Sequence, residues 1–196
     1  MKIKSGILFL ISIITAVIFF RTIPHAPNFT PVGGVTLLGA AYFGRKYLAV
    51  IVPILAMWLS DLLLNNTVYA AYSEGFQWFA SYQIFTFAAI AFTAIFGIKW
   101  FNKVSNMKIF GGAVVASLLF FIVTNFGTWM AGTLYAKTIA GLITCYVAAI
   151  PFLLNTLASN LVFGFALFYL YTFTTEKTPI LRINSTASKS QLELLG

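Results

Sequence analysis

Long apolar runs, separated by only a few charged residues, determine what this chain can fold into. The clearest runs cover residues 47–64, 79–98, 109–126 and 139–173. A helix needs about 20 apolar residues to cross the hydrocarbon core of a bilayer. Only 8% of the 196 residues are charged and 60% are hydrophobic, whereas soluble domains carry about 25% charged residues. Together with the single cysteine, these proportions exclude a soluble enzyme, a disordered chain and a disulfide scaffold, and they predict an integral membrane protein.

The apolar runs predict an all-α fold with six transmembrane helices in one domain over residues 1–175. The expected spans are residues 6–21, 32–44, 47–65, 79–98, 109–128 and 152–173. The first follows two lysines as a secretory signal peptide does, but no small-x-small cleavage site follows it, so we interpret it as an uncleaved span. The second is too short to cross a bilayer upright. Pro151 is expected to break the last run into a short helix and a full span, because proline removes a backbone donor.

The positions of the basic residues predict the orientation of the chain. With the N-terminus in the cytoplasm, ten of the twelve Lys and Arg residues lie on the inner side: Lys2, Lys4, Arg45, Lys46, Lys99, Lys103, Lys108, Lys177, Arg182 and Lys189. This bias is typical of multi-pass proteins. It predicts cytoplasmic N- and C-termini in a bacterial inner membrane, and a polar cytoplasmic tail over residues 176–196. The net charge of +8 does not indicate nucleic-acid binding, because the basic residues form no single patch.

Polar residues gather on the predicted outer side of the membrane. Polar groups inside a bilayer are costly and mark functional sites, and a cavity open to the outside would explain this asymmetry. The candidate substrate-binding residues are Arg21, His25, Asn28, Asp61, Asn65, Trp78, Gln83, Asn125, Trp129, Asn155 and Asn160.

Structural roles are an alternative for each of these residues. Asp61 is the only acid within a predicted span, and it could instead pair with Arg21 or His25 to fix the bundle. Asn155 and Asn160 could form hydrogen bonds between helices. The tryptophans could be ordinary interfacial anchors.

The sequence gives little indication of an enzyme. One histidine and one cysteine cannot form a zinc cluster, and no glycine-rich phosphate loop is followed by lysine. We therefore predict neither catalytic residues nor a metal or cofactor. Cys145 is interpreted as a small apolar residue, with a ligand-coordinating thiolate as the alternative. Energised transport would need a partner that hydrolyses ATP.

Several segments resemble the S components of energy-coupling factor transporters. The second and third predicted spans carry PVGGVTLLGAAYFG (31–44), LAVIVP (48–53) and SDLL (60–63). The run AAIPFLLN (148–155) is similar to the start of the last span of these proteins. The resemblance covers most of residues 5–174 as a loose pattern. Residues 23–31, IPHAPNFTP, are more similar to a related group of uncharacterised bacterial six-span membrane proteins.

The resemblance implies a function and partners. S components bind vitamins, their precursors or metal ions from outside, and they associate with a transmembrane coupling protein and two ATPases. It therefore implies a substrate-binding membrane subunit that captures a small vitamin-like molecule in an outward-facing cavity. The competing hypothesis is a membrane-embedded enzyme or an assembly or scaffold protein. An enzyme would need His25, Asp61 or Cys145 to meet in one cleft, whereas a scaffold would show mutually satisfied polar groups and no cavity.

Overall fold

The computed structural model describes the backbone of residues 2–72 and 75–177, and the side chains of residues 8–71 and 75–174. These residues form six α-helices, a short 3-10 turn at Ala70–Tyr72 and no strand. The helices are α1 (Lys2–Thr22), α2 (Val32–Tyr42), α3 (Leu48–Asn66), α4 (Gln83–Trp100), α5 (Asn106–Ala131) and α6 (Ile139–Lys177). Helices α3 to α6 are each long and apolar enough to cross a bilayer, so the chain is a multi-pass membrane protein.

Some of the predicted charges lie where the structure gives no description. The tail beyond residue 177, with Arg182 and Lys189, is outside the described residues, as are the side chains of Lys2, Lys4 and Lys177. The other five basic residues of the predicted inner side all lie at one end of the bundle, after α2 or around the α4–α5 connection: Arg45, Lys46, Lys99, Lys103 and Lys108.

The short helix α2 lies at the centre of the bundle. Nine of its eleven residues are buried, and it contacts α3, α4, α5 and α6. Eleven helical residues extend about 16 Å, which is about half of the 30 Å hydrocarbon thickness. The Nζ of Lys46 donates to the Ala40 carbonyl at 2.8 Å and so satisfies the C-terminal end of α2.

Helix α6 is continuous, and the break predicted at Pro151 is wrong. The helix runs for 39 residues with Pro151 inside it, or about 58 Å. Proline removes one backbone hydrogen bond, and membrane helices tolerate this because neighbouring groups satisfy the freed carbonyl. The helix packs along α5 on both sides of Pro151: Tyr146 donates to the Ile122 carbonyl before it, and Tyr169 donates to Asn106 after it.

Helix ends also differ from the predicted spans where capping residues set them. Helix α5 begins three residues earlier than the predicted span, because the Ser105 side chain accepts the backbone N–H of Lys108 at 3.3 Å. Helix α4 begins at Gln83 rather than at residue 79, and the Gln83 side chain accepts the Ala80 N–H at 2.6 Å.

Aromatic side chains close the basic end of the bundle. The Tyr42 ring lies 5.5 Å from Phe168 and 4.3 Å from Tyr171, and Phe101 lies 5.2 Å from Phe168. All four are buried, as is Phe43. This cluster, which we call the aromatic plug (Tyr42, Phe43, Phe101, Phe168 and Tyr171), fills the space between α2, α6 and the α4–α5 connection.

Close packing of α2 on α6 depends on Gly34. A Cβ atom at this position would lie 3.0 Å from the Phe163 carbonyl carbon and 3.1 Å from the Gly164 nitrogen. We expect Gly34→Ala to lower the free energy of unfolding by about 1–3 kcal/mol, because backbone atoms cannot move aside. Thermal unfolding in detergent measures this change.

The control for this experiment is Gly164→Ala on the facing helix. There the nearest atom to the added Cβ would be 3.7 Å away, and alanine favours the helix by up to about 1 kcal/mol over glycine. Its Tm should stay equal or rise. Equal Tm values for the two variants would contradict the proposed packing.

Candidate functional site

A cavity of about 970 Å³ occupies the end of the bundle opposite the aromatic plug. Its floor is the N-terminal end of α2, where Val32, Gly33 and Thr36 line it. The walls come from the C-terminal ends of α1, α3 and α5, the first turns of α4 and the first half of α6. The cavity therefore fills the height that the short helix α2 leaves open.

A buried ion pair connects three helices at the wall of this cavity. The Nη2 of Arg21 lies 2.7 Å from Oδ1 of Asp61, and their side chains are 12% and 5% exposed. Gln83 donates to the second carboxylate oxygen at 2.8 Å, and Arg21 also donates to Ser60 at 2.6 Å. The charges of Arg21 on α1 and Asp61 on α3 thus compensate each other. This is the structural role predicted as an alternative for Asp61, namely pairing with Arg21.

The loop of residues 23–31 covers part of the cavity and is fastened to α6. Asn155 donates to the Pro27 carbonyl at 3.0 Å, and Ser159 donates to the Thr30 carbonyl at 3.2 Å. Asn28 has a φ of 64°, a left-handed conformation that asparagine adopts more readily than most residues. Asn155 therefore holds the loop and does not itself line the cavity.

Seven of the eleven candidate residues line the cavity: Arg21, His25, Asn28, Asp61, Asn65, Asn125 and Asn160. The other four, Trp78, Gln83, Trp129 and Asn155, are not among its lining residues. Gln83 is connected to the cavity wall through its hydrogen bond to the carboxylate of Asp61. The Trp78 carbonyl accepts from the Trp58 indole at 3.1 Å, and the Trp129 indole donates to the Ala136 carbonyl at 2.9 Å. Both tryptophans hold connecting segments in place.

Tyrosines stand at the mouth of the cavity. Tyr69 follows α3, Tyr82 precedes α4 and Tyr135 lies between α5 and α6, and all three line the cavity. The Tyr82 hydroxyl accepts from Asn65 at 3.5 Å. Burial raises the pKa of Tyr82 above its ordinary value, so its phenol remains protonated at physiological pH.

The cavity is lined by all three residues that an enzyme would need: His25, Asp61 and Cys145. None of their described hydrogen bonds joins one of the three to another. His25 Nδ1 lies 2.6 Å from the Ile23 carbonyl oxygen, and the Cys145 thiol donates to the Asn125 carbonyl at 3.5 Å. Within residues 2–72 and 75–177, no group of three or more His, Cys, Asp or Glu residues is placed to hold a metal ion.

Hydroxyl residues inside the apolar helices are the lining residues that the sequence analysis missed. They are Thr36, Thr86, Thr93, Thr128, Thr156 and Ser159. Thr86 and Thr93 are seven residues apart, which places them on one face of α4 with Ile90 between them. The seven-residue spacing of Thr86 and Thr93 was the sequence feature that could have indicated a polar face on α4. It was weak, because threonine also occurs within membrane helices as a donor to the carbonyl four residues earlier.

The ion pair generates a stability prediction. We expect Asp61→Asn to lower the free energy of unfolding by about 3–5 kcal/mol, because it leaves the guanidinium of Arg21 buried without a counter-charge. The double variant Arg21→Met, Asp61→Asn should recover part of this loss. Thermal unfolding of both single variants and the double variant measures the coupling. A double variant that loses the sum of the two single effects would show that the pair is not coupled.

A family model described as "Family of unknown function (DUF6580)" matches residues 1–181. Neither a curated protein nor a solved structure matches the chain. Because the family match includes all six helices and every residue of the cavity wall, the chain belongs to DUF6580, a family of unknown function.

Proposed function

We propose that this chain is the substrate-binding membrane subunit of an uptake system for a small vitamin-like molecule. The observation that carries the proposal is the cavity of about 970 Å³ above α2, with polar groups at depth and tyrosines at its mouth. Ligand pockets typically measure about 300–1,000 Å³ and combine apolar walls with a few placed polar groups. A scaffold protein would have no need of such a cavity.

The cavity offers both stacking surfaces and hydrogen-bonding groups. Phe120 and Phe152 line it together with the tyrosines of the mouth, and aromatic side chains favour a flat ring as a partner. Asn125 and Asn160 come from facing helices and would orient the polar edge of a ligand. Asp61 would act mainly by holding Arg21 in place.

In the proposed topology the chain passes through a bacterial inner membrane six times, one passage being made by the short α2 together with its flanking segments. Both termini lie in the cytoplasm and the cavity opens to the outside. The five basic residues at the plugged end support this orientation through the positive-inside rule. Of the described basic side chains, only Arg21 and Lys137 lie at the cavity end.

Release to the inside would require a rearrangement, since the aromatic plug closes that end of the bundle. A capturing subunit of this kind needs an energy source. We propose a transmembrane coupling protein and ATPase subunits as partners, based on the resemblance of residues 31–44, 48–53, 60–63 and 148–155 to S components.

A second candidate is a membrane-embedded enzyme, because His25, Asp61 and Cys145 line one cavity. The contacts of Asp61 favour capture instead, since both of its carboxylate oxygens are already engaged by Arg21 and Gln83. Uptake that persists in a His25→Ala, Cys145→Ala variant would exclude chemistry by these groups.

Filling the cavity tests the proposed function. Ala148 lines the cavity, whereas its neighbour Val147 is 59% exposed and is not a lining residue. We expect Ala148→Trp to abolish ligand-induced thermal stabilisation of the purified protein, because the indole would occupy the ligand's volume. Val147→Trp is the matched control and should respond like the wild type. Equal responses from both variants would contradict binding in this cavity.

The proposed topology has its own test. In a Cys145→Ala background, Asn102→Cys lies in the α4–α5 connection and Thr133→Cys in the α5–α6 connection. Both positions are exposed. A membrane-impermeant maleimide should label Thr133→Cys on intact cells and Asn102→Cys only after lysis. The reverse pattern would show that the cavity opens to the cytoplasm.

A further inference from the structure

The wall formed by α5 and α6 carries threonine hydroxyls whose hydrogens are already engaged. Thr124 Oγ1 donates to the Phe120 carbonyl at 2.7 Å, and Thr128 Oγ1 donates to the Thr124 carbonyl at 3.0 Å. A hydroxyl has one hydrogen to donate and two lone pairs. Since a carbonyl can only accept, the direction of these bonds is fixed, and what each hydroxyl has left to offer is its lone pairs.

Thr156 on α6 and Asn125 on α5 also keep an acceptor oxygen. Thr156 Oγ1 donates to the Phe152 carbonyl at 2.8 Å. Asn125 Nδ2 donates to the Phe121 carbonyl at 2.8 Å. The carbonyl partner again settles which end of the amide is which, so Asn125 keeps its Oδ1 as an acceptor and one N–H of Nδ2 as a donor.

Two consecutive hydrogen bonds orient the side chain of Asn160. Ser117 donates its hydroxyl hydrogen to the Ala113 carbonyl at 2.7 Å. Its oxygen can then only accept, and Asn160 Nδ2 donates to it at 2.9 Å. Asn160 is only 3% exposed, and its Oδ1 lies against Gly33 at the floor of the cavity. This amide too has an acceptor oxygen at depth, beside the second N–H of its Nδ2.

The formal charges at the cavity are paired with each other. Arg21 and Asp61 compensate one another, and Gln83 occupies the second carboxylate oxygen. A charged ligand would find no unpaired counter-charge in this pair, which is unfavourable once binding removes the ligand from water. The tyrosine hydroxyls come from connecting segments, and Thr86 and Thr93 add hydroxyls from α4, so these donors lie outside helices α5 and α6.

We propose that the cavity selects an uncharged ligand rich in N–H and O–H donors, which point at the α5–α6 acceptor wall (Thr124, Asn125, Thr128, Thr156 and Asn160). This inference rests on the proposed binding function. It defines the ligand as a neutral molecule carrying several amide, amine-like ring N–H or hydroxyl groups, and it excludes carboxylates, phosphates and protonated amines.

The first experiment is a thermal-stability screen of the full chain in detergent. The probes are water-soluble compounds of metabolite size in three equal sets: neutral donor-rich compounds, anions and protonated amines. We expect the stabilising compounds to come from the neutral donor-rich set. Stabilisation mainly by anions or by protonated amines would overturn the inference while leaving the binding function intact. No stabilisation by any set would count against the proposed function itself.

The second experiment removes acceptors one at a time, with the strongest stabilising compound as the probe. Thr124→Val and Thr156→Val should each weaken its affinity about 5-fold, which corresponds to one hydrogen bond of about 1 kcal/mol. Thr144→Val is the matched control, because Thr144 donates to the Ala140 carbonyl at 2.8 Å in the same way but does not line the cavity. Unchanged affinity in both lining variants would overturn the acceptor wall.

An N- or O-methylated form of the same compound lacks one hydrogen-bond donor. It therefore tests whether the threonine hydroxyls accept a hydrogen bond from that donor. It should bind the wild type more weakly, and Thr124→Val or Thr156→Val should then cost it less than they cost the parent compound. Equal losses for the parent and the methylated form in both variants would show that these hydroxyls do not accept from the ligand.

Discussion

A helix too short to cross the bilayer stands at the centre of this protein, and the rest of the architecture depends on it. Helix α2 extends about 16 Å, packs on four other helices and leaves the remaining height of the bundle without a central element. The surrounding helices are longer and keep their full height. The space above the N-terminal end of α2 is the cavity, and the space around its C-terminal end is filled by the aromatic plug.

The membrane environment explains how the polar groups of the cavity wall are arranged. Polar side chains on membrane-spanning helices are costly to leave unpaired, so most of those at the wall bond to other groups of the protein. Arg21 and Asp61 neutralise each other across α1 and α3, and the threonines donate to carbonyls of their own helices. These bonds stabilise the fold, and they also determine which atoms remain available to a ligand. The proposed specificity for donor-rich neutral molecules therefore follows from the requirements of folding.

Much of the helix pattern could be predicted from the sequence, since apolar length and charge spacing are local properties. The outer polar cluster could be predicted for the same reason, because Asp61 and the asparagines interrupt otherwise apolar runs. Among the contacts within this cluster, the Arg21–Asp61 pair was one of the predicted alternatives, whereas the individual partners of the asparagines could not be predicted. Sequence reasoning gave no basis for assigning Asn155 to the loop at Pro27 and Asn160 to Ser117, because these contacts join residues 43 or more positions apart. The helix break predicted at Pro151 is wrong because the packing of α6 on α5 outweighs one missing hydrogen bond.

The central claim is that the space above α2 holds a small molecule. Native mass spectrometry of the protein, purified gently from the membranes of cells that make it, tests this most directly. We predict a non-covalent small-molecule adduct on the wild type, neutral in composition and rich in N–H or O–H groups, which is absent from Ala148→Trp. Lipid and detergent adducts alone, identical on the wild type and the variant, would contradict binding in this cavity.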